Sequence, residues 1–297
     1  MALSYSTFFL IYSVTMVVGI LVGLILIIGW KDLTWRRALS AARYNAVYII
    51  LIAVFPLFIQ GQDLLEAHFT DPGDTTREVL YTNWMFSLAG GAVRVMQDRL
   101  DYKILRDVFM IVYAWLFTFL IYFAPILLAS RDDRANLRRY AIAMMFNYLI
   151  LVPFYALFPV SVSGSHPGSG ITPLLYIDTH WGRMCTSVDP LNNDFPSGHV
   201  SLVVTTLLVF SYGGEAYRKF SYFLIGTAAA VIFAVLYLGV HWPADVFAGF
   251  LVAVFAFTIS GSEKIQMTID RYVRGLNQKL FGSEKRPAPS SDQPQPR

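Results

Sequence analysis

Cysteine is nearly absent from this chain of 297 residues: Cys185 is the only one. An intramolecular disulfide and any cysteine-based metal cluster are thereby excluded, and Cys185 is expected to be a plain buried or interfacial thiol. Charge is scarce as well. Charged residues make up 14% of the chain, against about 25% in ordinary globular domains. Hydrophobic residues make up 56% and the mean hydropathy is positive, so a soluble domain is excluded too. The formal net charge of +3 is accounted for by basic loops and a basic tail, and implies no nucleic-acid partner.

What the chain has in abundance is long apolar runs. They cover residues 8–28, 42–58, 108–128, 140–157, 200–212, 220–240 and 246–259. About 20 residues cross a bilayer once, so the expected fold is all-α, a polytopic helical bundle of about seven transmembrane helices. The stretch 79–93 is shorter and interrupted by Gly90 and Gly91, which reads as an interfacial or re-entrant helix. The first run lacks a basic preceding region and a small-residue cleavage site, and reads as an anchor rather than a removed leader. Three parts follow: an extra span and basic loop at 1–41, a core at 42–262 with an outer segment at 61–106, and a basic tail at 263–297. Within that tail, residues 283–297 are rich in Pro, Ser and charge and read as disordered.

Basic residues set the orientation. Lys31, Arg36, Arg37 and Arg43 follow the first run, Arg131, Arg134, Arg138 and Arg139 the third, and Arg218 and Lys219 the fifth. Lys264, Arg271, Arg274, Lys279, Lys285 and Arg286 close the chain. Seven spans with an outer N-terminus bring all four clusters to the cytoplasmic face. Arg94, Arg99, Lys103 and Arg106 fall outside, partly offset by Asp98, Asp101 and Asp107.

The chain has five histidines, and two of them stand where polar loops give way to apolar runs. His199 closes the segment Pro196-Ser197-Gly198-His199, and His241 opens His241-Trp242-Pro243-Ala244-Asp245. One helix down and one helix back lie between them, so both return to the same, outer face. Asp245, four residues after His241, shares its face if the segment is helical, and Pro243 suits a first helical turn. A carboxylate on one ring nitrogen sets the tautomer and raises the basicity of the other, which makes a nucleophile or a base. Ser197 offers a hydroxyl, Gly198 lets backbone amides approach closely, and a helix start attracts anions. The arrangement reads as a catalytic site for a phosphate. His68 reads as a solvated loop residue, while His166 and His180 have no recognisable spacing. Asp189, Asn192, Asn193 and Asp194 match no calcium loop and read as turn formers.

These two segments resemble the type-2 phosphatidic acid phosphatases, integral membrane relatives of the vanadium haloperoxidases. Pro196–His199 matches that family's second motif in full, and His241 with Asp245 matches the end of its third. The resemblance covers a six-helix core from about residue 42 to 259. It implies a two-step phosphoryl transfer on a lipid phosphate or isoprenoid diphosphate, with no cofactor and no metal. His241 is then the nucleophile that becomes phosphohistidine, oriented by Asp245, and His199 is the general acid and then the general base. Ser197 and Gly198 contact the phosphoryl oxygens.

The family's cationic ligands are largely replaced. Ala234 and Val235 stand where its third motif carries Ser-Arg, and the loop 161–195 has no lysine and a single arginine, Arg183. Arg183 is therefore the first candidate for a phosphate-binding cation, with Lys103 and Arg106 as further candidates. The loss also resembles the branch that makes inositol phosphorylceramide and sphingomyelin, where the headgroup passes to an alcohol. A proton-coupled transporter is the alternative from another class. It predicts charged residues within spans, and runs 220–240 and 246–259 contain none. The expected partners are a lipid phosphate or diphosphate substrate and membrane lipids.

Overall fold

The computed structural model describes residues 4–30, 46–54, 74–188 and 190–281. Part of the second apolar run, the first basic cluster, His68, Asp189 and the expected disordered tail lie outside the described residues. Regular structure among them is helical, with one isolated parallel bridge between Val160 and Asn193.

The elements run in the order α1 (Tyr5–Ile28), α2 (Ala46–Val54), α3 (Thr76–Arg99), α4 (Lys103–Met110), a π-helical stretch (Ile111–Leu116) and α5 (Phe117–Ser130). After these come α6 (Arg134–Leu157), α7 (Trp181–Thr186), α8 (Gly198–Tyr212), α9 (Arg218–Tyr237), α10 (Pro243–Ser260) and α11 (Glu263–Phe281). Five helical runs among the described residues are long and apolar enough to cross a membrane: Tyr5–Ile28, Lys103–Ser130, Arg134–Leu157, Gly214–Tyr237 and Pro243–Ser260. The chain thus folds as an all-helical, membrane-type bundle. At 15 residues, α8 spans about 22 Å, short of the roughly 30 Å hydrocarbon thickness.

The stretch 79–93 is interrupted where expected. It belongs to the 24-residue α3, which is kinked at Ala89 immediately before Gly90 and Gly91 rather than ending there. Sharp kinks of this kind are expected at glycine pairs.

Helix α8 is the centre of the bundle, packed between α6, α9 and α10. Val200, Leu202, Val203, Val204, Thr205 and Thr206 are all buried. Polar side chains this deep need partners. Asn147 on α6 donates to Thr205 Oγ1 at 3.0 Å and to the Ala143 carbonyl at 2.9 Å. Thr206 donates to the Leu202 carbonyl at 2.8 Å. At the far end of α8, the Arg139 guanidinium lies 3.8 Å from the Tyr212 ring centre and 4.1 Å from that of Phe257. The Arg131–Arg139 cluster therefore sits at the opposite end of the bundle from the start of α8.

Helix α1 is the outlier, with mostly exposed apolar side chains. Ser4 caps it by accepting from the Thr7 amide at 3.2 Å. It is tied to the neighbouring run by Tyr12, which donates to the Ala114 carbonyl at 3.1 Å, and by Trp115, which donates to Thr15 at 3.1 Å.

Candidate active site

Both histidines are placed by the loop between α6 and α8. Its first strand-like residues pair with its last: the Val160 amide donates to the Asn192 carbonyl at 2.9 Å, and the Asp194 amide to the Val160 carbonyl at 3.2 Å. The middle of the same loop grips the turn after α9. Ser163 and Gly164 donate to the Val240 and Gly239 carbonyls at 3.0 and 2.8 Å. Gly239 turns the chain with φ +72°, and a Cβ there would stand 2.5 Å from the Thr172 carbonyl. Only glycine meets both conditions cheaply. One loop thus fixes Asp194 and His241 in a common frame.

Glutamine 97 on α3 locks the frame from outside. Gln97 is buried, donates to the Thr172 and Tyr237 carbonyls at 2.9 and 2.8 Å, and accepts from the Thr172 amide at 2.8 Å. The Trp242 side chain is fully buried, and its indole donates to the Ser161 carbonyl at 3.1 Å.

The starts of α8 and α10 abut. The Ser197 amide donates to the Asp245 carbonyl at 3.1 Å. A Cβ on Gly249 would lie 2.5 Å from the Ser197 carbonyl, so this contact needs glycine. Ser197 is the N-cap of α8, its hydroxyl accepting from the Val200 amide at 3.3 Å. Gly198 opens the helix under the Tyr155 hydroxyl, which donates to the Pro196 carbonyl at 3.2 Å. The expected helix start at Ser197 and Gly198 is the one observed.

His241 and Asp245 do not share a helix face. Helix α10 opens at Pro243 with Trp242 as its N-cap, so His241 precedes it. Asp245 occupies the third position, where its Oδ2 accepts from the Trp242 amide at 2.7 Å. The turn before the helix still folds the ring back over the carboxylate, with His241 Nδ1 3.6 Å from Asp245 Oδ2. Asp245 is therefore a helix cap and the neighbour of an imidazole at once.

A second carboxylate reaches the same nitrogen. Asp194 Oδ1 lies 3.7 Å from His241 Nδ1, and all three side chains are buried. The sequence reading of Asp194 as a turn former missed this, because the contact is made across the chain by the Val160 pairing and leaves no local spacing. Both distances exceed hydrogen-bond length, as is common where catalytic contacts tighten only with substrate. Neither ring nitrogen of His241 has a hydrogen-bond partner among the described residues, nor has Asp245 Oδ1. Asp194, His241 and Asp245 each offer a ligand atom within 4.8 Å of one another, and are the residues a cation would use.

The His199 ring centre lies 5.9 Å from that of His241, the planes inclined by 62°. Its surroundings are aromatic. Tyr113 stacks on it at 4.3 Å and Phe117 packs against it at 4.4 Å. These two residues are four apart and straddle the end of the π-helical stretch, a feature frequent at functional sites. Their identity as the wall of His199 could not be read from an apolar run in which every third residue is large.

The candidate cations are spread out. Arg183 on α7 is exposed, with its guanidinium 4.2 Å over the Tyr5 ring of α1. Lys103 pairs with Asp107 at 2.6 Å on the surface of α4, and Arg106 is half-buried on the same helix. His166 packs against Phe86 and Trp242, and partial burial holds its imidazole below the usual histidine range. The ring of His180 packs against Phe8 of α1. Cys185 is buried, as expected.

No match was found among curated proteins or among solved structures. Residues 158–260 match the family model described as the PAP2 superfamily, whose members are phosphatases and phosphotransferases. The matched stretch runs from Phe158, the residue after α6, to the last residue of α10, and it contains Asp194, Ser197, Gly198, His199, His241 and Asp245. The segment that builds the two-histidine site is thus the part of the chain similar to the PAP2 superfamily, in agreement with the resemblance carried by its two motifs.

Proposed function

We propose that the protein hydrolyses a lipid phosphate or isoprenoid diphosphate at the extracytoplasmic face of a membrane, through a phosphohistidine on His241. The observation that carries this reading is a buried imidazole with two unsatisfied nitrogens, one turned to a pair of carboxylates. Buried polar atoms in native structures are nearly all paired, so atoms left open at one place mark where a polar ligand completes the set.

In the first step Nε2 of His241 attacks phosphorus, and the bond from phosphorus to the leaving oxygen breaks. His199 gives that oxygen its proton. Asp245, with Asp194 beside it, holds the Nδ1–H of the imidazolium that forms. In the second step neutral His199 takes a proton from water, the oxygen attacks phosphorus, and the bond to Nε2 breaks. Backbone amides at the start of α8 around Gly198 stabilise the phosphoryl oxygens, and Ser197 contributes chiefly by capping that helix. Arg183, Lys103 and Arg106 are the candidates for added positive charge. The outer placement is supported by the Arg131–Arg139 cluster and by Arg218 and Lys219, which lie at the bundle end opposite the histidines.

A second reading keeps the site and changes the acceptor to a lipid or polyol hydroxyl. It is favoured by the single arginine in the loop 161–195, since a singly charged diester headgroup needs fewer cations than a doubly ionised phosphate ester. Purified protein with an isoprenyl diphosphate decides between them. Release of inorganic phosphate in water alone supports the hydrolase, and isoprenyl monophosphate formed together with the phosphate ester of an added alcohol, and only when that alcohol is present, supports the transferase. No release under either condition, across phosphatidic acid, isoprenyl diphosphates and inositol lipids, refutes both.

A further inference from the structure

An apolar cavity of about 350 Å³ lies inside the bundle between α2, α5, α6 and α8. It begins at Phe117, the same ring that packs against His199. Leu202, one turn below His199 on α8, forms part of its wall. From Phe117 the cavity follows α5 past Ile121 to Ile126, a distance of about 13 Å at the helical rise. Pro125 and Tyr148 are buried at its back, while Ala53 and Tyr122 are exposed at its mouth. Among the described residues no charged one lines it, and Thr118 donates its hydroxyl back to the Ala114 carbonyl at 2.7 Å.

We infer that this cavity receives a single hydrocarbon chain of the phosphate-bearing substrate and sets the chain length the enzyme prefers. The inference rests on the phosphoryl-transfer reading above and adds to it where the tail goes. Continuity carries the argument. A phosphate held between the two imidazoles has the Phe117 ring beside it, and behind that ring the lining is mostly aliphatic and aromatic carbon, with no charged side chain among the described residues. A headgroup could satisfy no polar atom there, whereas an alkyl or polyisoprenyl chain loses nothing by entering. The exposed mouth at Ala53 and Tyr122 lets the chain pass sideways to and from the bilayer. Phe117 is in this arrangement the partition between the chemistry and the tail.

The test uses the full-length protein in detergent and a series of linear alkyl phosphates from ethyl to decyl, each below its micellar concentration. A methylene moved from water into an apolar slot is worth about fourfold, so kcat/KM should climb with chain length and then level off once the slot is full. Ile121→Trp, which fills the middle of the cavity, should bring the plateau forward by about two methylenes and lower the decyl-to-ethyl ratio about fifteenfold. Ile121→Ala should move the plateau to longer chains. The ratio is taken within each protein, so a general loss of folded enzyme cancels, and the Ala variant carries the test if the Trp variant does not fold. A second readout needs no turnover: a decyl phosphate with a terminal diazirine should label α5 between Phe117 and Ile126, and free decyl phosphate should compete. A chain-length profile identical in all three proteins, or labelling confined to other helices, overturns the inference. Specific labelling without hydrolysis upholds the cavity and refutes the phosphatase reading instead. Labelling that free decyl phosphate cannot displace means that bulk lipid fills the cavity, and also overturns it.

Discussion

The two histidines of the site are held in opposite ways. His241 sits in a turn with two carboxylates against one nitrogen, and its ring is almost wholly enclosed. His199 sits in the first turn of a helix, partly exposed, with two aromatic faces against its ring. The difference suits the roles proposed for them. A nucleophile that becomes a phosphorylated cation needs negative charge on the far nitrogen when it forms, and carboxylates supply it. A proton carrier needs a fixed ring whose edge is free to meet both the leaving group and water. Aromatic carbon fixes the ring without competing for its nitrogens.

The sharpest break of this contrast is His241→Ala. Without the attacking nitrogen, turnover should fall to background, and an acid-labile phosphoprotein trapped from labelled substrate should vanish. A trapped phosphate on His199 would invert the assignment. His199→Ala should cost about 10²–10⁴-fold, the usual worth of general acid–base assistance. An activated aryl phosphate, whose leaving group needs little protonation, should restore most of that loss for His199→Ala and none for His241→Ala. Equal rescue of both variants would remove the distinction.

The carboxylates come next. Asp245→Asn keeps an oxygen to accept from the Trp242 amide, so the helix cap and the fold should survive. The rate should fall by up to about 10⁴-fold, the effect seen when an imidazole loses the carboxylate that sets its tautomer. Asp194→Asn should cost less, because Asp245 still faces Nδ1, and the double variant should lose little beyond Asp245→Asn alone. A chelator in the assay is expected to change nothing. Activity lost to a chelator and restored by a divalent cation would mean that Asp194, His241 and Asp245 hold a metal, and would displace the phosphohistidine.

The smallest effect is expected at the cations. Lysine keeps the charge of Arg183 but not its forked donors, so Arg183→Lys should raise KM by a few-fold while kcat holds. Unchanged KM would leave Arg183 to its contact with the Tyr5 ring and direct the same test to Lys103 and Arg106.

How far the chain could be read depended on the range of each contact. The helical bundle was legible because twenty-odd apolar residues in a row have one economical conformation in a bilayer. Pro196–His199 was legible because N-capping is local: Ser197 and the amide it caps are three residues apart. The expectation that His241 and Asp245 share a helix face failed on the same scale, since Pro243 starts the helix after the histidine. The pair met anyway through the turn at Gly239.

The sequence by itself determined the class of the molecule, that the two motifs meet at one end of the bundle, and the two imidazoles with their nearer carboxylate. All of these rest on composition or on residues within four positions of each other. Only the tertiary structure decided that Asp194 joins Asp245 at His241, that Tyr113 and Phe117 wall His199, and that a cavity opens behind Phe117. Each of those contacts joins segments that are dozens of residues apart in the chain. Their energies depend on how helices and loops pack, and packing leaves no periodic trace in the order of the residues.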